Sequence, residues 1–368
     1  MRVLFADTWA SYPLALAGGH RVNHCVLRAL AAQPGVLCQA LIPKLAQGTP
    51  GPEYYPNLAD FAALGLRSFR LDGDRWWFDC GYPVCAVDDV LAEFPRACEE
   101  FQPDVVFLQN PRPPCSVADL VLDRGLPAVC YLHDVRFDPD RLRAAVAAGT
   151  ELLCCSDFLR REIRADSGCE ASVLYPVVPA ADYRVEPDPL GSITLISPIP
   201  EKGLDIFLSL LPRFPEERFL AVEGWPLGAE GLAEVERQLA PFPNVSLMRR
   251  TSEMKDVYRR TRLLLAPSQL LEAAGRVVVE AQVSGIPAVV SARGGLEEML
   301  GPGGRAVAAW ADPDAWEQEV RAVLAALPHY RERALANARR PEFSPEHVRA
   351  SFLAAAERSI ATLETPCS

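Results

Sequence analysis

Short apolar runs alternate with amphipathic stretches along the first half of the chain. RVLFAD (2–7), VVFLQN (105–110), PAVCYLHD (127–134), ELLCCS (151–156) and SVLYPVV (172–178) read as strands. Residues 21–33, 87–101 and 139–148 carry apolar side chains at helical spacing. Strand and helix in alternation predict parallel strands joined by crossover helices.

The pattern breaks at PVVPAADYRVEPDPLG (176–191), which holds four prolines and reads as a linker. A second alternating set follows: SITLISP (192–198), RFLAVEG (218–224), VSLM (245–248), RLLLAPS (262–268), PAVVSA (287–292) and RAVAAW (305–310). Helices are predicted near 228–240, 253–260, 276–284 and 313–326, and from Leu204. A long amphipathic helix runs from Pro345 to Leu363, opened by Ser344 with Glu346 in its first turn. The expected organisation is α/β with two doubly wound domains. It comprises an N-terminal domain (1–180), a linker (181–191), a C-terminal domain (192–343) and a terminal helix (344–368) that packs back on the first domain.

Charge narrows the partners. The 368 residues carry 37 basic and 48 acidic side chains, a net charge of −11. Up to Ala180 the counts are 16 and 22, so both halves are acidic. A nucleic acid or an anionic membrane as main partner needs a concentrated cationic face, which argues against both. No apolar run is long enough for a spanning helix, so no integral membrane contact is expected. The start, with Arg2 and Asp7, reads as a first strand and not as a signal peptide. Ten of the eleven cysteines precede residue 170, with no CxxC pair, which fits buried free thiols in a reducing cytoplasm and no structural metal. Only Lys44, Lys202 and Lys255 are lysines, so a lysine in a suggestive motif carries some information.

Two segments hold candidate chemistry. In APSQLLEAAGRVVVEAQVSGIPAVVSARGG (266–295), a strand ends near Ser268, a loop carries Glu272, and a helix starting near Gly275 carries Glu280. Backbone amides of Ala273, Ala274 and Gly275 would lie at the helix N-terminus, where anions and hydroxyls bind. Either glutamate alone reads as well as a solvated helix-end residue. Glu280 lies in the apolar run VVVEAQV, where an unpartnered carboxylate is costly, and this favours a ligand role. In TLISPIPEKGLDIFL (194–208), Lys202 follows a strand and could hold a diphosphate, or could be a surface lysine. His20 and His24 are four apart but have no third ligand for a metal; His20 follows Gly19 and could line an acceptor site. Trp76 and Trp77 lie in a stretch read as a loop, available either for stacking on an acceptor ring or for packing beneath that loop.

Taken together these segments resemble the retaining glycosyltransferases of family 4, whose GT-B fold sets two Rossmann-like domains facing across a cleft. The family's paired glutamates appear as EAAGRVVVE, Glu272 to Glu280. Its KG element appears as Lys202-Gly203, and its Gly-Gly-x-x-E element as Gly294-Gly295-Leu296-Glu297-Glu298. Ala17-Gly18-Gly19 matches a glycine-rich turn after the first strand, and His133-Asp134 matches a His after a middle strand. The resemblance implies that Glu280 accepts from the donor's ribose hydroxyls and that Glu272 contacts the transferred sugar. Lys202 and Arg276 would lie at the leaving diphosphate, with Gly18 and Gly19 close to it. His133 would face the sugar, and the loop from Arg250 to Met254 would flank the base. The Arg that the family carries a few residues before its Lys is replaced here by Ser197-Pro198-Ile199-Pro200. Either another cation substitutes, with Arg276 and Arg293 as candidates, or the leaving group is less stabilised.

The implied activity is transfer of a hexosyl-type group from a nucleotide-diphosphate sugar, such as a UDP-sugar, to an acceptor hydroxyl. It implies retention of configuration and requires neither metal nor cofactor. An acidic N-terminal domain favours a small soluble acceptor over a lipid, and acceptor choice falls to the loops at about 45–85. Two rivals stand beside it: a nucleotide-sugar 2-epimerase of the same architecture, and a non-catalytic nucleotide-sugar-binding subunit. A nicotinamide dehydrogenase is disfavoured because no GxGxxG follows a predicted strand.

Overall fold

The structure is a computed structural model that describes residues 1–9, 11–14, 18–44, 69–109, 116–251 and 253–364. The chain divides into two compact units, residues 1–177 with 345–368, and residues 178–344.

Unit 1 is built on a nine-stranded sheet. β1 (Arg2–Ala6) leads through α1 (Gly18–Ala31) to β2 (Leu37–Pro43). β3 (Phe69–Asp72), β4 (Arg75–Asp79) and β5 (Pro83–Val87) follow, then α2 (Val90–Phe101), β6 (Val105–Gln109) and α3 (Val117–Asp123). β7 (Ala128–Leu132), α4 (Pro139–Ala147), β8 (Glu151–Cys154), α5 (Asp157–Ser167) and β9 (Ser172–Val173) complete the series. Strand order is β3-β4-β5-β2-β1-β6-β7-β8-β9. Among the described residues only the β3–β4 and β4–β5 pairs are antiparallel. From β5 to β8 the order is that of a doubly wound sheet, and the direction of winding reverses between β1 and β6.

Several elements depart from the sequence pattern. Trp76 and Trp77 lie in β4 and not in a loop. The turn at Gly73-Asp74, with Gly73 φ of 57°, closes the β3–β4 hairpin, and this Gly-Asp pair was its sequence signal. The Lys44 ammonium sits 5.3 Å from the centroid of the Trp76 ring. The helix expected from Val87 starts only at Val90, because Asp89 caps it by accepting from the Ala92 amide. Gly18 and Gly19 are the first residues of α1 and not a turn before it; Ala17 lies outside the described residues, as do Asn110 and the 45–68 part of the expected acceptor loops. The expected strand 172–178 is reduced to the two residues of β9.

Unit 2 opens with the short helix α6 (Ala180–Tyr183), inside the stretch expected as a linker. Ser284 holds it there: its hydroxyl accepts from the Val185 amide and donates to the Tyr183 carbonyl. The chain then runs β10 (Ser192–Ile196), α7 (Leu204–Leu210), β11 (Phe219–Val222), α8 (Gly228–Leu239), β12 (Val245–Met248) and α9 (Met254–Arg259). It continues with β13 (Thr261–Ala266), α10 (Arg276–Gln282), β14 (Ala288–Ser291), α11 (Leu296–Leu300), β15 (Gly304–Val307), α12 (Pro313–Ala325) and α13 (Leu327–Ala338). The six strands are all parallel, in the order β12-β11-β10-β13-β14-β15. This is the Rossmann order, with its reversal between β10 and β13. Ligands of such sheets bind outside the carboxyl ends at that reversal. The inner strands β10, β11, β13 and β14 are largely buried on both faces, which explains their mainly apolar runs, whereas the edge strands β12 and β15 are partly open. Trp316, Val320 and Val323 of α12 and Phe207 and Leu210 of α7 pack on Ile193, Leu195, Leu263 and Leu265.

The chain returns to unit 1 as α14 (Pro345–Glu364). Phe352 meets Phe107 of β6 edge-on at 4.9 Å, and Phe107 in turn meets Phe5 of β1 at 5.1 Å. The fully buried Ser359 accepts from the Ala128 amide at 2.9 Å and donates to the Gly149 carbonyl at 2.8 Å. One hydroxyl thereby satisfies the start of β7 and the turn after α4. Nine cysteines are described as free thiols, all buried but the half-buried Cys98. Burial pushes the thiols of Cys38, Cys80 and Cys130 up to about 12, so these three are held protonated and unreactive.

Candidate active site

In unit 2 the site is built on the loops that leave β10, β11, β13 and β14. After β10 the backbone turns through Ser197, a buried non-glycine residue with φ of 65°. That strained conformation is held from two sides. The Ser197 amide donates to the Val222 carbonyl at 2.8 Å, and its hydroxyl accepts from the Trp225 amide at 3.2 Å. Three residues of 3-10 helix, Pro200–Lys202, then carry the ammonium forward, and Gly203 ends them with φ of 83°. A Cβ on Gly203 would lie 2.0 Å from the Pro267 carbonyl oxygen, so only glycine lets the Lys202 loop lie against the loop after β13.

Lys202 forms an ion pair with Glu272, and its Nζ stands 4.9 Å from the centroid of the Trp225 ring. The two charged residues come from opposite sides of the β10/β13 reversal. Glu272 is fixed from behind by Gly294-Gly295: the Gly295 amide donates to the Glu272 carbonyl at 2.8 Å, and a Cβ on Gly294 would lie 2.3 Å from that oxygen. The paired glycines therefore have a mechanical reason, the close backbone approach that positions Glu272. Trp225 lies beside this pair, and Leu270 and Leu271 precede Glu272 in the same loop; the three are 45%, 38% and 44% exposed. Apolar surface left open beside a charged pair is what a ligand's ring or nucleoside would cover.

Glu280 is placed differently from expectation. It is buried, and it is not without partners: Arg276 Nη1 lies 3.0 Å from its Oε1, and the Tyr258 hydroxyl donates to its Oε2 at 2.7 Å. Arg276 also donates to the Tyr183 hydroxyl at 2.9 Å and stacks over that ring. Burial, with the Glu280 carboxylate beside it, raises the Tyr258 phenol well above its ordinary range. The cost of a buried carboxylate is thus met inside the protein, by an Arg one helical turn earlier. Arg276 is engaged in this network and is not a ready substitute for the missing diphosphate Arg. Arg293 makes no ion pair among the described residues; its guanidinium lies 4.1 Å over the Trp310 ring.

Ala273, Ala274 and Gly275 lead into α10, and Gly275, with φ of 88°, lets Leu296 of α11 pack against it. The loop after β12 is tied down by Glu223, which the sequence reading missed. This buried carboxylate directly follows β11 and accepts from Arg249 Nε at 3.0 Å, the Arg250 amide at 3.2 Å and the Leu227 amide at 3.2 Å. Burial alone would raise its pKa, but these donors outweigh burial and hold it below the ordinary value. The signal in the sequence was an acid directly after the fully apolar strand FLAV. Met254, at the start of α9, packs on Leu220, Val222 and Val257; Ser252 lies outside the described residues.

In unit 1, His133 follows β7 directly, and its Nε2 lies 2.7 Å from Asn23 Oδ1 of α1. The nearest atom to a Cβ on Gly19 would be His133 Cδ2, at 3.9 Å, so Gly19 and His133 are neighbours. His24 is a packing histidine, stacked on Tyr12 at 3.8 Å and bonded to the Tyr82 hydroxyl at 2.9 Å. Among the described residues no group of three or more His, Cys, Asp or Glu side chains is placed to hold a metal ion, and no helix is long and apolar enough to cross a membrane.

Burial lowers the His20 imidazole to about 4, and burial together with the adjacent His20 lowers His133 to about 3. Both are neutral in the folded protein well below the ordinary value of about 6.5. Between those limits the unfolded chain binds more protons, so stability falls as pH drops below about 6.5. We expect each imidazole to remove up to about 3 kcal/mol by pH 4, read as a falling urea midpoint, with His20→Asn and His133→Gln flattening that slope. A midpoint that stays level from pH 7 to pH 4 would contradict the assignment.

The fold is GT-B. A glycosyltransferase from Rickettsia africae ESF-5 superposes with a TM-score of 0.75 at 12% identity, covering 98% of each chain. Anabaena Alr3699/HepE, solved with UDP and glucose, gives 0.69 at 15% identity, covering 97% of this chain and 99% of that one. A UDP-GlcNAc 2-epimerase from Neisseria meningitidis, solved with UDP-GlcNAc, gives 0.59 at 12% identity, covering 97% and 100%. Within this fold, residues 191–326, which lie inside unit 2, match the family described as Glycosyl transferases group 1. No curated protein matches the sequence.

Proposed function

We propose that the protein is a family 4 glycosyltransferase that moves a hexosyl group from a nucleotide-diphosphate sugar to an acceptor hydroxyl, with retention and without a metal. The observation that carries this reading is the Lys202–Glu272 pair across the strand reversal of unit 2, inside the stretch that matches the group 1 family. A UDP-sugar is the proposed donor, since HepE was solved with UDP and glucose on the same fold. Unit 2 would bind it, with Glu272 at the sugar, Lys202 and the amides of Ala274 and Gly275 at the diphosphate, and the Arg250–Met254 loop at the base. In unit 1 the candidate residues are Gly18, Gly19 and His133, and unit 1 would take a small soluble acceptor. Nine free cysteines suit a reducing compartment, the cytoplasm.

The chemical demand is to break an anomeric C–O bond while negative charge grows on the leaving phosphate. Donors aimed at that growing charge lower the barrier. With retention, a leaving-phosphate oxygen takes the acceptor's proton as the new glycosidic bond forms on the same face.

The likeness to the 2-epimerase supports a second reading, because the fold is common to both reactions. A melting screen against nucleotide sugars should give one stabilising donor; a ligand at 100 times its Kd contributes about 2.7 kcal/mol. That donor, incubated alone, should give only slow hydrolysis. An epimer in that incubation would establish the second reading, and a donor that binds without transfer to any acceptor or hydrolysis would mark a binding subunit.

A further inference from the structure

A chain of side-chain hydrogen bonds crosses the strand reversal of unit 1. Asp7 follows β1, Gln109 ends β6, Asn23 lies on α1 and His133 follows β7. Gln109 Nε2 donates to Asp7 Oδ2, and Asn23 Nδ2 donates to Gln109 Oε1. His133 Nε2 lies 2.7 Å from Asn23 Oδ1. Asp7 and Asn23 are buried, and the other carboxylate oxygen of Asp7 accepts from the Trp9 amide at 3.1 Å.

The direction of this chain follows from its end. An ionised carboxylate only accepts. The Gln109 amide must therefore turn its NH2 towards Asp7 and its oxygen towards Asn23. Asn23 must then turn its NH2 towards Gln109 and its oxygen towards His133. An oxygen facing Nε2 requires a proton on that nitrogen.

We propose that Asp7, acting through Gln109 and Asn23, sets His133 in the Nε2–H tautomer and thereby makes its Nδ1 a hydrogen-bond acceptor. Asp7, Gln109 and Asn23 are positioning residues. A neutral His133, which burial maintains down to about pH 3, is the condition under which a tautomer has meaning.

Asp7→Asn is nearly isosteric, yet it should reverse the whole chain. The new side-chain oxygen keeps the Trp9 amide, so its NH2 faces Gln109. Gln109 and Asn23 then each turn over, and Asn23 presents NH2 to His133 Nε2. The expected result is a switch to the Nδ1–H tautomer, read from imidazole 15N shifts of the labelled full chain. The pyridine-type nitrogen should be Nδ1 in the parent and Nε2 in the variant. The same tautomer in both proteins, or Nδ1–H in the parent, would overturn the proposal. Asn23→Asp covers the case in which the first variant does not fold: it places a carboxylate directly on Nε2. It should keep the parent tautomer and raise the His133 pKa by at least one unit from about 3. An unmoved titration there would also overturn it. These readouts need no donor, so a failed transferase reading leaves the tautomer result standing, and the reverse holds as well.

Discussion

Glu280→Ala is expected to destabilise the protein by about 3–5 kcal/mol, because removing one member of a buried ion pair leaves the other charge uncompensated. The charge left behind is Arg276, which also donates to the Tyr183 hydroxyl, and Tyr258 loses its acceptor. Urea unfolding of the full chain measures the loss. The double variant Arg276→Met/Glu280→Leu separates packing from ligand binding. It removes both charges together and should recover most of the lost stability. If Glu280 also binds the donor ribose, calorimetric affinity for UDP is lost in the double variant even though it is folded. Parent-like affinity there would confine Glu280 to a structural role, and a single variant as stable as the parent would refute the burial argument.

Lys202→Ala is expected to lower kcat by about 10²–10³-fold, the cost of losing one donor aimed at charge that grows in the transition state. KM for the donor should change much less, since the ground-state diphosphate makes weaker use of the same charge. The stability change should be within about 1 kcal/mol, because the Lys202–Glu272 pair is partly open to solvent. Steady-state kinetics with the donor found by the melting screen decide the matter. Equal turnover would remove Lys202 from the reaction, and a rise in KM with unchanged kcat would assign it to binding alone.

Glu280 and Lys202 differ in how far their settings could be read along the chain. Every strand of unit 2 was readable: the inner ones are apolar runs because they are buried between two helical layers, and the edge strands β12 and β15 stood out as short apolar segments between helical patterns. The β3–β4 hairpin was misread because its partly exposed strands are short and rich in charge and tryptophan. β2 was missed for a related reason: the apolar residues of Leu37–Pro43 carry no alternation that separates strand from helix. Lys202, Glu272 and the glycine pair were visible as motifs, but that Gly294-Gly295 supports the backbone of Glu272 became visible only in space. The Arg276–Glu280 pair was legible in principle, since the two are four apart on a predicted helix. Asp7, Gln109 and Asn23 were not legible at all. They meet across separations of 102 and 86 residues, and nothing local marks any of them as part of a chain.

Because unit 2 is nested between the two parts of unit 1, synthesis and folding run in different orders. The sheet of unit 1 emerges from the ribosome first, but the helix that closes over Phe107 and binds the Ala128 amide through Ser359 is made only after all of unit 2. During that interval the Phe107 ring and the Ala128 amide lack the partners that α14 supplies. The nascent chain therefore passes through a stage in which its second half can be complete while its first half is still open, and that stage is the one exposed to aggregation and to chaperones.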